Sequence, residues 1–199
     1  NSTNNVKYNI YGGVRGSISN TVSFNLQASR TKLQGVPLYF NDTAYSIENK
    51  FDVVYDSIDV FGLSAQISYH NGEKFNAYLK GEYNSYSTLY EQHAWNMPAV
   101  DITLGGVYDL ADKILVRADV FFVGKRKAKS LSFVQDAEFE KGEYIVDLPA
   151  FFDFNLGFEY RYNKKLSAFL NFNNIISKKY LMYNKYPVQG INIMGGVTF

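Results

Sequence analysis

The 199-residue chain contains no cysteine, four prolines, two histidines and one tryptophan. Without Cys there is no disulfide scaffold, no thiolate metal site and no Cys nucleophile. His70 falls on a turn and His93 on a loop of the opposite side, so they make no metal pair. No Ser stands in a recognisable motif beside His93 and Glu91, and an enzyme is not expected. A net charge of +1 provides no general affinity for nucleic acid. The aromatic and basic positions also lie on opposite strand faces, unlike a platform for single strands. No run approaches the roughly 18 consecutive apolar residues of a transmembrane helix. No Gly-rich phosphate loop opens a helix, and no cofactor is expected.

What the chain has in excess is aromatic: 17 Tyr and 16 Phe, with 15 Gly. That composition favours pleated strands and aromatic belts. The clearest segment is Phe152 to Tyr162. There Phe152, Phe154, Leu156, Phe158, Tyr160 and Tyr162 fall on one face, and Asp153, Asn155, Gly157, Glu159 and Arg161 on the other. Its length matches the roughly 9–11 tilted residues that cross a bilayer as a strand.

The same alternation marks Val6–Ile18, joined through Ser19-Asn20 to a partner carrying Val22, Phe24, Leu26 and Ala28. It continues in Phe61–Tyr69, joined through Asn71-Gly72, a two-residue hairpin signal, to a strand with Phe75, Ala77, Leu79 and Tyr83. Upstream of Phe61 the apolar parity switches to Ile58 and Val60, which predicts a bulge or departure from the membrane near Asp59. Val100–Tyr108 and Ile114–Val123 follow, then Lys165–Asn173 and Gly190–Phe199. Gly105-Gly106 and Gly195-Gly196, inside strands, suit close backbone approach or barrel curvature.

Connections near residues 20, 71, 111 and 163 are short, whereas 34–50, 90–98, 125–148 and 174–189 read as long loops. The 125–148 loop opens on Lys125, Arg126, Lys127 and Lys129 and later carries Glu138, Glu140, Lys141 and Glu143. Short periplasmic turns and long extracellular loops are the asymmetry of outer-membrane barrels. The expectation is an all-β, antiparallel transmembrane barrel of about nine meander strands, a single unit over residues 1–199. Bacterial single-chain barrels have even strand numbers. The odd count means either one further strand or the C-terminal part of a larger barrel, and an opening Asn1-Ser2-Thr3-Asn4-Asn5 that reads as a loop favours the second, with the natural start upstream.

In that frame Lys80, Glu82, Arg117, Asp119, Asp153, Glu159 and Arg161 face the lumen. They line a substrate path, meet a plug, or simply form a solvated wall. The basic cluster Lys125, Arg126, Lys127 and Lys129 is either a site for lipopolysaccharide or another anion, or a solvated loop. Tyr8, Tyr69, Tyr108, Tyr160 and Tyr162 fit an interfacial girdle.

From Leu148 onward the chain resembles the C-terminus of TonB-dependent outer-membrane receptors, those of Bacteroidetes in particular. The resemblance rests on Leu148-Pro149 before Phe152-Asp153-Phe154-Asn155-Leu156-Gly157, on Asn171-Phe172-Asn173-Asn174-Ile175, and on Lys179-Tyr180. It is completed by Tyr186-Pro187-Val188-Gln189-Gly190 and the closing Gly195-Gly196-Val197-Thr198-Phe199. Ile191, Ile193, Val197 and Phe199 look like the strand read by the barrel-assembly machinery. The resemblance implies a 22-stranded barrel in a Gram-negative outer membrane, with a plug not contained in this sequence. It further implies energy coupling to the TonB complex through that plug, import of a scarce ligand (siderophore, vitamin, haem, glycan or peptide), and outer-membrane lipid, lipopolysaccharide and a surface-exposed lipoprotein as partners. The competing readings are a small self-contained barrel with a structural or adhesive role and a soluble carbohydrate-binding β-sandwich.

Overall fold

A computed structural model describes residues 5–42, 50–133, 141–163 and 165–199. The opening residues 1–4, Glu138, Glu140 and Lys164 of the expected last turn lie outside these. The strands are β1 (Asn5–Ser17), β2 (Val22–Asp42), β3 (Lys50–Asn71), β4 (Phe75–Thr88), β5 (Val100–Leu110), β6 (Ile114–Val123), β7 (Arg126–Phe133) and β8 (Lys141–Leu148). They continue with β9 (Phe151–Arg161), β10 (Ser167–Asn173), β11 (Leu181–Tyr183), β12 (Tyr186–Pro187) and β13 (Asn192–Thr198).

Nine of them make one antiparallel meander in the order β13-β10-β9-β6-β5-β4-β3-β2-β1. This is the expected count. Among the described residues β1 and β13 do not pair, so the sheet stays open. The ladders place Val14, Leu26, Leu63, Leu79, Leu104, Val120, Phe158, Leu170 and Val197 on one and the same outer face, strand after strand across the meander. Among the described residues nothing covers it: Val14 is 64%, Leu79 48% and Val197 62% exposed. A sandwich would bury such a face under a second sheet. Here the apolar stripe, edged by Tyr69, Phe75 and Tyr108 in mutual ring contact, fits lipid and an aromatic belt.

The short connections hold. Ser19 Oγ accepts from the amides of Thr21 and Val22. The Asn71-Gly72 connection spans three residues instead of two, because Asn71 still pairs with Phe75 and only Gly72 takes positive φ, at 56°. On the inner face a Cβ on Gly105 would come 2.5 Å from the Tyr78 ring, and one on Gly196 2.7 Å from that of Phe169. Within the two predicted Gly-Gly pairs these are the close-approach members, each roofed by a cross-strand aromatic.

Of the four expected long loops, 90–98 is a loop and 174–189 largely one, whereas the described residues of 34–50 and 125–148 are largely strand. β2 and β3 stay paired beyond the membrane stripe, from Val36↔Asp56 to Asp42↔Lys50. The 125–148 connection is the hairpin β7–β8, and 174–189 contains the small hairpin β11–β12. The predicted irregularity near Asp59 exists, but on the partner. β3 runs unbroken, while β2 bulges between Leu33 and Val36 at Gly35, whose φ is 66°. One extra residue reverses which parity of β2 faces inward, from Leu33 to Val36 and Leu38. Ile58 and Val60 therefore point inward like every even residue of β3. What changes there is the chemistry of the inner face, not the geometry of the strand.

Left-handed backbone costs a residue with Cβ about 1–2 kcal/mol. Gly35→Ala should therefore destabilise the upper β2–β3 ladder by about that amount, with Gly35→Asn milder. Hydrogen exchange of residues 36–42 in the detergent-extracted protein, faster in the variant and unchanged in residues 22–30, is the check.

Candidate functional site at the mouth of the sheet

The buried core does not lie between the membrane strands. It lies at the long-loop end, on the inner face, where Val36, Leu38 and Ile58 meet Trp95 of the β4–β5 loop. The bulge at Gly35 is what turns Val36 and Leu38 toward this tryptophan. Trp95 is 2% exposed and donates its Nε1–H to Glu91 Oε2 at 2.8 Å. The loop start is held by Asp56, whose carboxylate accepts from the amides of Tyr90 and Glu91 at 3.1 and 2.8 Å and from Ser57 at 2.6 Å.

The β7–β8 hairpin leaves the meander between β6 and β9, yet it pairs with the top of β2 four strands away. Asn41↔Ser130 and Asp42↔Leu131 form a short parallel seam. It therefore crosses the inner side of the mouth over the Trp95 loop. Two contacts fix it there. Asn96, at φ 63°, donates its amide to Lys127 O at 2.7 Å and its side-chain N–H to Tyr39 O at 2.8 Å. Lys129 Nζ sits 3.0 Å from both Glu91 and Glu143, near the faces of Phe40 and Trp95. Burial opposes its charge, but hydrogen bonds to Glu143 and Glu91 outweigh this and hold its pKa above the ordinary lysine value.

The 174–189 connection completes the assembly. Arg126 donates to the carbonyls of Met182 and Leu181 at 2.9 and 2.8 Å and lies over Phe151. Phe151 stacks on Tyr180 at 3.7 Å, and Tyr180 donates its hydroxyl to Asp153 Oδ2 at 2.9 Å. Burial, with Asp153 adding, pushes the Tyr180 phenol up to about 12. Phe51 of β3 stacks on Tyr186 and meets Tyr183 edge-on. Four connections thus lock into one packed rim.

The seven predicted lumen residues do share the inner face, but they form no single site. Lys80 and Glu82 pair at 2.7 Å. Arg161 bridges Glu159 and Asp109 at the short-turn end, at 3.2 and 3.6 Å. Asp153 belongs to the rim, while Arg117 and Asp119 stand apart on β6. The basic cluster does not behave as one solvated run: Arg126 and Lys129 are held inside the rim, and Lys125 and Lys127 are exposed. His70 meets Asn76 at the short-turn end and His93 lies at the mouth, so the two stay apart. Ile193 and Val197 face outward on β13. The sequence reading missed Trp95, Asp56 and Asn96, and weighed Glu91 only beside His93; a lone Trp flanked by carboxamides and a carboxylate was the available signal.

A sheet with a lipid-facing outer side, a polar inner wall and a packed rim at its long-loop end defines a segment of a transmembrane β-barrel. Its fold is that of the barrel of TonB-dependent outer-membrane receptors. The ferripyoverdine receptor FpvA of Pseudomonas aeruginosa superposes with a TM-score of 0.69 at 16% identity, covering 95% of this chain and 26% of that one. The iron transporter FrpB of Neisseria meningitidis gives 0.68 at 14%, covering 96% and 30%. The copper transporter OprC gives 0.67 at 12%, with the same coverages of 96% and 30%. The chain spans a little over a quarter of the length of these structures. They are outer-membrane transport receptors of Gram-negative bacteria rather than enzymes. No family model and no curated protein matches the chain.

Two outcomes follow from the rim. Trp95→Ala should cost on the order of 3–5 kcal/mol of local stability, so that limited proteolysis cuts residues 89–99 and 126–148 while strands β3–β6 stay protected. In an alkaline titration at 295 nm one tyrosine should ionise last, at about 12, and Tyr180→Phe should remove that step. A raised folded-state pKa on Tyr180 and Lys129 favours their protonated forms. Their contribution is therefore complete below about pH 10 and is lost as pH rises through the folded values.

Proposed function

We propose that the chain is the C-terminal part of the barrel of a TonB-dependent receptor, which imports a scarce ligand across a Gram-negative outer membrane. The observation that carries this reading is the match of nearly the whole chain to receptor barrels that are three to four times longer. In this reading the rim is part of the vestibule that receives the ligand. Lys80, Glu82, Arg117, Asp119, Asp153, Glu159 and Arg161 belong to the polar wall along which it passes. Ile191, Ile193, Val197 and Phe199 form the strand the assembly machinery recognises. The plug, its coupling to TonB and the remaining strands belong to the rest of the protein, as does any surface lipoprotein partner. The Bacteroidetes affiliation rests on the terminal motifs alone. Siderophore or metal import is favoured among ligand classes, since the similar structures are those of a ferripyoverdine receptor, an iron transporter and a copper transporter.

Two measurements test this. The intact mass of the protein extracted from its native outer membrane should be several times the 22.7 kDa of this chain; a mass near 22.7 kDa with heat-modifiable migration would leave a small self-contained barrel instead. Uptake of radiolabelled ferric siderophores, free copper, cyanocobalamin and haemin by cells carrying or lacking the gene, with and without TonB, should reveal one substrate whose entry needs both.

A further inference from the structure

A cationic cleft opens beside the packed rim. β4 pairs with β5 only as far as Tyr83↔Val100. Above that point β4 parts from its neighbour, and the gap is flanked by the β4–β5 loop and the base of the β7–β8 hairpin. The cleft is ≈ 410 Å³ and is lined by Lys125, Lys127, His93, Gln92, Tyr86 and Asp147, among others. Arg126 also borders it, with its guanidinium committed to Leu181 and Met182. Asp147 is the one carboxylate among the described lining residues, and Lys127 already engages it at 3.2 Å. Lys125 has no ion-pair partner among the described residues. The His93 ring lies edge-on to Trp95, and neither its nitrogens nor the Gln92 amide has a hydrogen-bond partner there. The nearby Glu91 is already held by Lys129 and Trp95. Tyr86 spends its hydroxyl hydrogen on Pro98 O. Asp101 and Glu82 also act on Tyr86, but Asp101 is opposed by the Arg126 charge and Glu82 is paired with Lys80. What remains is positive charge and spare donors, the complement of an oxyanion.

Its height along the strands gives the class of that oxyanion. Tyr83, Leu63 and Ala28 are outward neighbours on β4, β3 and β2. One step up are Ser85, Phe61 and Arg30, and one further are Ser87, Asp59, Lys32 and Tyr8. Arg30 and Asp59 pair there at 3.0 Å, with Tyr8 donating to Asp59. The outer face thus turns from apolar to charged at the level of the cleft, on the long-loop side. That is the headgroup level of the outer leaflet.

We propose that this cleft binds a phosphate group, with Lys125 and Lys127 as its charge partners and His93 and Gln92 as donors. The proposal needs only the barrel's orientation in the membrane and is independent of import. The test uses the full receptor extracted in detergent, with native mass spectrometry of bound bis-phosphorylated lipid A, dephosphorylated lipid A and inorganic phosphate. Bis-phosphorylated lipid A should bind, and dephosphorylated lipid A should not. Lys125→Gln with Lys127→Gln should weaken binding by about tenfold or more, and Lys125→Arg with Lys127→Arg should retain it. If millimolar inorganic phosphate leaves lipid A bound, the phosphate is a lipid headgroup. If it displaces lipid A and itself binds in a lysine-dependent way, the site serves a soluble phosphate. Equal binding of the dephosphorylated lipid by the unaltered receptor, or binding unchanged in the glutamine variant, overturns the proposal.

Discussion

Everything in this chain depends on the backbone hydrogen-bond ladder that runs from β13 to β1. In a hydrocarbon slab an unpaired amide or carbonyl costs several kcal/mol, so a strand can cross only with both edges paired. The antiparallel ladder meets that demand for every strand between β13 and β1 and imposes a period of two on every side chain. The outer face must then match lipid, and the inner face is free to carry charge, amide and glycine. Lys80, Arg117, Asp119 and Glu159 are tolerated in a membrane protein because the pleat turns them away from the lipid.

Above the membrane the same ladder serves a different purpose. β2 and β3 keep pairing, but water now lies outside and packed loops lie inside, so the apolar residues belong on the other face. A single bulge at Gly35 makes that reversal in β2. It presents Val36 and Leu38 to Trp95, and the Trp95 loop supplies Glu91, which holds Lys129 and with it the β7–β8 hairpin. Local sequence, packing and a long-range parallel seam are linked through one residue with positive φ.

The rim holds the buried core of the long-loop end, yet it is assembled from connections that share no sequence neighbourhood. Arg126 reaches Leu181 and Met182 across more than fifty residues. Phe51 meets Tyr183 and Tyr186 over a still greater separation. Such contacts close only after the meander has set the relative positions of β3, β6, β9 and β10. The gap left where β4 parts from β5 is a by-product of the same arrangement, and its unspent charge follows from Lys129 and Arg126 being drawn inward while Lys125 and Lys127 stay out.

By itself the sequence determined the nine-strand meander, the inward and outward faces and the alternation of short and long connections. Alternation is a local property of each strand, and the membrane enforces it on every one, so Phe152–Tyr162 could be read without its neighbours. Only the tertiary structure decided that residues 34–42, 126–133 and 141–148 are strand rather than loop, that the irregularity near Asp59 lies on β2, and that Lys125 and Lys127 part company with Arg126 and Lys129. Those outcomes turn on which distant groups meet: Ser130 with Asn41, Lys129 with Glu91, Arg126 with two carbonyls. A period of two carries no information about partners four strands away.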